Sequence, residues 1–245
     1  VNGVGSVLSS TGLFSRGVQV ANTGSQAWIE EALIRVEGAR SMGLSIKGGG
    51  MSVVAGSTIQ VIAGGATGPW APAVLVGGTG SSLSLSGTQV STTPNSSHGV
   101  RALTGAEITV LGGSISTTGK DSTALSAGSS IITATDVVIS TTGDDNAMGV
   151  LADGNSEVRF IRGSITTTGN SVRTASFPHA LGARNPDGAL FAEDTVVLTT
   201  GVGAMGAWAD DGGSSVLTNV GITTRGTRAA GAFAVVEQAG SQFAA

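Results

Sequence analysis

The segment Ile115-Ser116-Thr117-Thr118-Gly119 returns about 25 residues later as Ile139-Ser140-Thr141-Thr142-Gly143. Looser copies begin at Ile165, Val197 and Ile222, and the apolar lead residue can be followed upstream through Val90, Val61, Val36 and Leu8. Self-similarity at a fixed period of roughly 25 residues indicates a stack of one repeated structural unit. Because the repeat runs through the whole chain, we predict one solenoid domain over residues 1–245.

Each period contains three short extended segments. In one period these are residues 98–102, the alternating run 107–110 and the segment that begins at Ile115, with Gly-, Asp- and Asn-containing turns between them. Alternation of apolar and polar residues is typical of half-buried strands, and no stretch keeps a 3.6-residue rhythm. We therefore predict an all-β, right-handed parallel β-helix of about nine coils, with three short strands per coil.

Stacking of the coils predicts columns of equivalent residues. One buried aliphatic column would contain Ile115, Ile139, Ile165, Val197 and Ile222, and a second inward column would contain Ala102, Ala127, Ala152, Ala183, Ala209 and Ala234. The columns Ser116/Ser140/Thr166 and Thr117/Thr141/Thr167 predict a hydroxyl-rich face stabilised by ladder hydrogen bonds.

Composition excludes several classes of function. The chain has 40 glycines and 11% charged residues, yet 40% of it is hydrophobic, so a core can form. A net charge of −4 without a basic stripe argues against a nucleic-acid partner. The absence of cysteine excludes disulfides and thiolate metal sites.

The two histidines, His98 and His179, lie three periods apart, which places them roughly 14 Å apart along the stack. We expect solvated residues at coil corners, with no metal site, no cofactor and no catalytic residue. Asp121, Asp144 and Asp145 form the one acidic group that crosses coils, and we interpret them as turn residues. The alternative is a polysaccharide-processing β-helix enzyme, a lyase or a glycoside hydrolase, which three or more acidic side chains converging in a groove would favour.

One column is predicted to face solvent because inward positions flank it along the strand. It places Leu151, Trp208 and Phe233 on the C-terminal coils as an exposed apolar stripe, which we predict to be the partner surface. The alternative is that another segment covers this stripe. The long interval between Ile165 and Val197 lies nearby and contains an insertion, and insertions in solenoids gather on binding faces.

The coil formed by residues 98–102, 106–110 and 113–116 resembles coils of pertactin-like bacterial autotransporter passenger domains. Those coils also run from a Gly-apolar-x-Ala strand through a short apolar strand to a Gly-Ser-Ile/Leu-Ser strand. The resemblance implies export to the outer surface of a Gram-negative cell, with membrane contact only through a C-terminal β-barrel that lies outside these residues.

Val1 and Ala245 both fall in mid-pattern, so we expect a fragment of a longer passenger domain. The expected function is that of a non-enzymatic adhesin or rigid stalk. Its partners would be a host-cell or bacterial surface ligand, or a second copy of the chain.

Overall fold

The computed structural model describes residues 2–62, 72–171, 178–234 and 242–244. These residues form 28 short strands and no helix, so no described segment is a helix long and apolar enough to cross a membrane. Every third strand joins the same parallel sheet, and nine successive sets of three strands make the coils of a parallel β-helix. The predicted all-β architecture with three strands per coil is confirmed. Residues 172–177, in the middle of the predicted insertion, lie outside the described residues.

Three parallel sheets, here named A, B and C, run the length of the stack. Sheet A contains β1 (Asn2–Val4), β4 (Gln26–Glu30), β7 (Met51–Ala55), β10 (Ser82–Ser86), β13 (Glu107–Leu111), β16 (Ile131–Thr135), β19 (Ser156–Ile161), β22 (Gly188–Glu193), β25 (Ser214–Thr218) and β28 (Gln242–Ala244). Sheet B contains β2 (Val7–Thr11), β5 (Leu33–Glu37), β8 (Thr58–Ile62), β11 (Gln89–Thr92), β14 (Ser114–Thr117), β17 (Val138–Thr141), β20 (Ser164–Thr167), β23 (Val196–Thr199) and β26 (Gly221–Thr224). Sheet C contains β3 (Arg16–Ala21), β6 (Met42–Lys47), β9 (Val74–Gly77), β12 (Val100–Leu103), β15 (Leu125–Gly128), β18 (Val150–Asp153), β21 (His179–Arg184), β24 (Met205–Asp210) and β27 (Ala230–Ala234).

The aliphatic column of sheet B fills the centre of the rod. Ile115, Ile139, Ile165 and Val197 pair in register and are buried, and Ile222 continues the column partly buried in the last strand of the sheet. Upstream, the same column runs through Val90, Ile59, Ile34 and Leu8. The placement of Val36 and Val61 in it was wrong by two residues. Both valines are nevertheless inward, as predicted, because side chains on a strand alternate with a period of two and the register error was two residues.

Val36 and Val61 instead begin a second inward column of sheet B. It continues through Thr92, Thr117, Thr141, Thr167 and Thr199, all of them buried. The prediction that the column of Thr117, Thr141 and Thr167 lies on a hydroxyl face was therefore wrong. Only the column of Ser116, Ser140 and Thr166 faces outward, and it is half-buried.

The inward alanine column of sheet C is confirmed over most of its length. Ala102, Ala127, Ala152, Ala183 and Ala209 are fully buried, and they leave room for the larger aliphatic side chains of sheet B. Ala234 is exposed because β27 is the edge strand of its sheet.

The glycine that ends each repeated segment has a direct steric reason. A methyl group on Gly143 would overlap the carbonyl oxygen of Gly119, one coil earlier, and Gly169, Gly201 and Gly226 repeat the same close approach. Consecutive coils therefore touch backbone to backbone at the turn from sheet B to sheet C, where a Cβ atom does not fit.

Candidate functional site

The outward column of sheet C carries the most varied side chains of the molecule. Strand pairing aligns Arg101, Ser126, Leu151, Gly182, Trp208 and Phe233, as the sequence predicted. The alternating inward neighbours are fully buried, from Val100 and Ala102 in β12 to Ala207 and Ala209 in β24. The backbone thus presents this column on the outer side of the sheet.

Exposure along the column differs from the prediction. Phe233 is 44% exposed, but Trp208 is partly buried and Leu151 is only 5% exposed. The predicted exposed stripe was therefore wrong for Leu151 and only partly right for Trp208. The reason lies at Gly182, where a Cβ atom would be 3.4 Å from both Leu151 Cδ1 and Trp208 Cε3. Because Gly182 has no side chain, Leu151 and Trp208 both extend over it, and Leu151 is left with little exposed surface.

The histidines belong to this face. The prediction of solvated corner residues was wrong for His179, which is buried, and only partly right for His98, which is partly buried. His179 is 3% exposed, and its ring stacks on Trp208 with centroids 4.6 Å apart and an angle of 15° between the planes. Burial lowers the pKa of His179 to about 3, so the imidazole is neutral at physiological pH.

His98 is partly buried, and Arg101 Nη1 donates a hydrogen bond to its Nε2 over 2.8 Å. Burial and then the charge of Arg101 lower the pKa of His98 to about 3, and burial lowers the pKa of Arg101 to about 10. The pair is therefore a neutral imidazole held against a guanidinium, which keeps its charge at neutral pH.

An ion pair flanks the column at the ends of the neighbouring strands β18 and β21. Arg184 Nη2 donates to Asp153 Oδ2 over 2.8 Å, and Asn185 Nδ2 donates to Asp153 Oδ1 over 2.6 Å. Burial acts to raise the pKa of Asp153, but these two hydrogen bonds and the charges of Arg184 and Arg101 outweigh it, so the pKa lies below its usual value. Asp210 is the register partner of Arg184 in the strand of the next coil. Burial raises the pKa of Asp210 above its usual value.

These side chains enclose a small pocket of about 90 Å³ on the outer face of sheet C. Its walls are His98, Arg101, Ser126, Ala127, Leu151, Asp153 and Arg184. Two cations and one anion line it, so the pocket has a net positive charge while His98 is neutral. It is the part of the predicted partner face with the chemistry of a binding site.

The three acidic residues proposed as turn residues do occupy turns. Asp145 is fully buried and pairs with Lys120 Nζ at 2.5 Å, while Asp144 Oδ1 accepts from the backbone N–H of Asn170 at 2.8 Å. Asp121 Oδ1 accepts from Asn146 one coil later. Each carboxylate therefore stabilises the turn between sheets B and C.

A wider groove of about 730 Å³ follows the corner between sheets C and A across five coils. Glu107, Glu157 and Asp187 line it together with small residues such as Gly105 and Ser129. Glu107 and Glu157 belong to one column with Ile131 between them, so their Cα atoms are roughly 9–10 Å apart. Glu157 also pairs with Arg159 at 2.6 Å. Sequence reasoning missed this groove because its acids belong to strands and turns of different coils.

Within the described ranges, no group of three or more histidine, aspartate or glutamate side chains could hold a metal ion. The described residues form a three-sheet parallel β-helix whose sheet C carries polar and aromatic side chains on its outer face. No family model, curated protein or solved structure matches it.

Proposed function

We propose that this chain is a rigid, non-enzymatic rod of a surface-displayed protein, acting as an adhesin or as the stalk that carries one. The observation that carries the proposal is the uninterrupted stacking of its three sheets. Nine coils at about 4.8 Å per coil form a rod roughly 40 Å long, in which each strand finds its hydrogen-bond partners in the neighbouring coils. A rod of this kind would hold the outer face of one of its sheets at a fixed distance from the cell surface.

The outer face of sheet C is the proposed contact surface. Aromatic and arginine side chains are the usual anchors of an interface, and this face offers Trp208, Phe233 and Arg101. The hydroxyl column on sheet B offers little desolvation energy by comparison. The partner would be a host-cell or bacterial surface ligand, or a second copy of the chain.

The resemblance of single coils to pertactin-like autotransporter passenger domains supports a location on the outer surface of a Gram-negative cell. A chain without cysteine also crosses an oxidising periplasm without forming cross-links.

The experiment is an adhesion and self-association assay with the purified chain and with a Trp208→Ser/Phe233→Ser variant. We expect the variant to lose most of its adhesion, since both aromatic anchors are removed. The matched control is Ser116→Ala/Ser140→Ala on sheet B, and a thermal melt confirms that both variants are folded. Loss of adhesion in the control but not in the aromatic variant would remove sheet C as the contact surface.

A polysaccharide-processing enzyme is the second candidate, and the corner groove is the observation that favours it. The Cα atoms of Glu107 and Glu157 are roughly 9–10 Å apart. This separation allows their carboxyl groups to reach the ~6.5–9.5 Å that is typical of an inverting glycosidase. Shortening of a polysaccharide by the purified chain, abolished by Glu107→Gln, would establish this candidate. An intact polysaccharide after long incubation favours the rod.

A further inference from the structure

The pocket on sheet C contains a buried hydroxyl without a hydrogen-bond partner. Ser126 is 4% exposed, and its Oγ has no partner in the structure. Leu125 and Ala127, its neighbours along β15, are the inward residues, so the side chain of Ser126 points outward into the pocket. A buried hydroxyl that is left unpaired destabilises the fold, and an acceptor bound in the pocket would satisfy it.

Arg101 stands next to Ser126 in the same column, one coil earlier. Its guanidinium contacts the neutral ring of His98 and lies within the field of Asp153, and the Arg184 guanidinium donates to Asp153, so the two cations share one carboxylate. A hydroxyl donor beside a guanidinium is suited to a carboxylate, which accepts hydrogen bonds from both. The volume of about 90 Å³ equals roughly three water molecules, enough for a carboxylate but not for a whole sugar ring or side chain.

The surface beside the pocket is apolar. Leu151 forms one wall of the pocket, and Leu151 Cδ1 and Trp208 Cε3 both lie over Gly182 beside it. A ring attached to the bound carboxylate would therefore lie against the exposed edge of Leu151 and extend toward the partly buried ring of Trp208. The C–H face of a pyranose packs well on such a surface. A peptide carboxyl terminus fits less well, because the backbone N–H groups of sheet C already donate to the neighbouring coils and cannot pair with a peptide strand.

We propose that this pocket binds the carboxylate of an acidic sugar, with Arg101 and Ser126 on the carboxylate and Leu151 and Trp208 against the pyranose ring. The inference rests on the proposed adhesin function and names its ligand class. Sialic acids and uronic acids share this chemistry, a carboxylate attached directly to a pyranose.

The test is calorimetric titration of the purified chain with N-acetylneuraminic acid and, separately, with glucuronic acid. The methyl ester of each sugar is the control, because it keeps the ring and removes the charge. We expect one or both acids to bind and their esters to bind at least tenfold more weakly. Binding of acids and esters with equal affinity, or no binding of either acid, would overturn the proposal.

Two variants separate binding from folding. Arg101→Gln is expected to weaken binding of the acid at least tenfold, and Ser126→Ala several-fold, while Ser126→Ala leaves the melting temperature unchanged or raises it. The matched control is Ser45→Ala, a buried serine of the same outward column three coils from Ser126. A Ser126→Ala variant that binds the acids as well as the wild type would refute the assigned role.

Failure of this inference is distinguishable from failure of the adhesin proposal. If cell adhesion depends on Trp208 and Phe233 but survives both removal of acidic sugars and Arg101→Gln, the adhesin stands and the sugar assignment falls. If the acids bind and no cell type is recognised, the sugar assignment stands and the adhesin falls.

Discussion

The inward threonine column of sheet B should be a place where removing a hydroxyl stabilises the protein. Thr141 is 1% exposed, and its Oγ1 has no hydrogen-bond partner. Thr141→Val exchanges that hydroxyl for a methyl group of similar size. Val36 and Val61 occupy the same column in earlier coils, which shows that a valine fits this position.

The expected gain follows from two contributions. An unsatisfied buried hydroxyl costs about 1–3 kcal/mol, and an added buried methyl group contributes up to about 0.8 kcal/mol. We therefore expect Thr141→Val to raise the free energy of unfolding by about 1–3 kcal/mol. The matched control is Thr92→Val in the same column, because Thr92 Oγ1 donates to Ser97 Oγ over 2.7 Å. Loss of that bond should lower stability by about 0.5–1.5 kcal/mol.

Urea denaturation followed by circular dichroism measures both variants, with the denaturant dependence expected to stay constant. The decisive outcome is the sign of the two changes. If Thr141→Val is destabilising, the Thr141 hydroxyl has a partner in the native state and the reasoning is wrong. If Thr92→Val is stabilising as well, the hydrogen bond of Thr92 does not distinguish the two threonines and the reasoning also fails.

The remaining predictions concern the glycine column, the buried histidine and the aliphatic column. Gly143→Ala should lower stability by about 1–3 kcal/mol because its methyl group would overlap the Gly119 carbonyl, whereas Gly221→Ala, with no atom within 4 Å of its Cβ position, should change it by less than ~0.5 kcal/mol; thermal melts compare the two. His179 has a pKa of about 3 when folded and 6.5 when unfolded, so the unfolded chain binds its proton first and stability falls as pH drops through this window. From pH 7 to about 4.5, His179 should contribute roughly 2–3 kcal/mol to the loss of stability, and His98, whose pKa is also lowered to about 3, a similar amount. Urea titrations should show that His179→Met, which copies Met205 of the same column, removes the His179 contribution only. Ile139→Asp should cost more than ~4 kcal/mol or prevent folding, while Ser140→Asp on the outer face of the same strand should fold; equal stability of the two would contradict the assigned faces.

The stacked interior could be predicted from the sequence because it depends on local alternation and on a fixed period. Both are visible in the spacing of Ile115, Ile139 and Ile165, and even the misplaced Val36 and Val61 were assigned to the correct side. The inward position of Thr117 could have been found in the same way, since it lies two residues after the inward Ile115.

The exposure of Leu151 could not be predicted from the sequence, because it depends on contacts between coils across an outer face. Alternation places Leu151 and Trp208 outside correctly, but it does not show that the gap at Gly182 brings them together. A second contact between coils bears on His179, whose ring stacks on the ring of Trp208 in the next coil. The burial of Leu151 therefore depends on residues in three consecutive coils, Leu151 itself, Gly182 and Trp208.

Stacking of the coils explains the residue types in the inward columns, but it does not explain those in the outward column of sheet C. Inside the rod, neighbouring coils repeat aliphatic, alanine or threonine side chains because each must fill the same space. The outward column of sheet C instead changes from arginine to serine, leucine, glycine and tryptophan, and it contains an unpaired Ser126 hydroxyl. An alanine at Ser126 would be the better choice for stability, as valine would be at Thr141. The two substitutions should both stabilise the rod, but we expect only Ser126→Ala to weaken the binding of an acidic sugar, since only Ser126 lies in a charged pocket. That difference separates a hydroxyl with a function from one that packing merely tolerates.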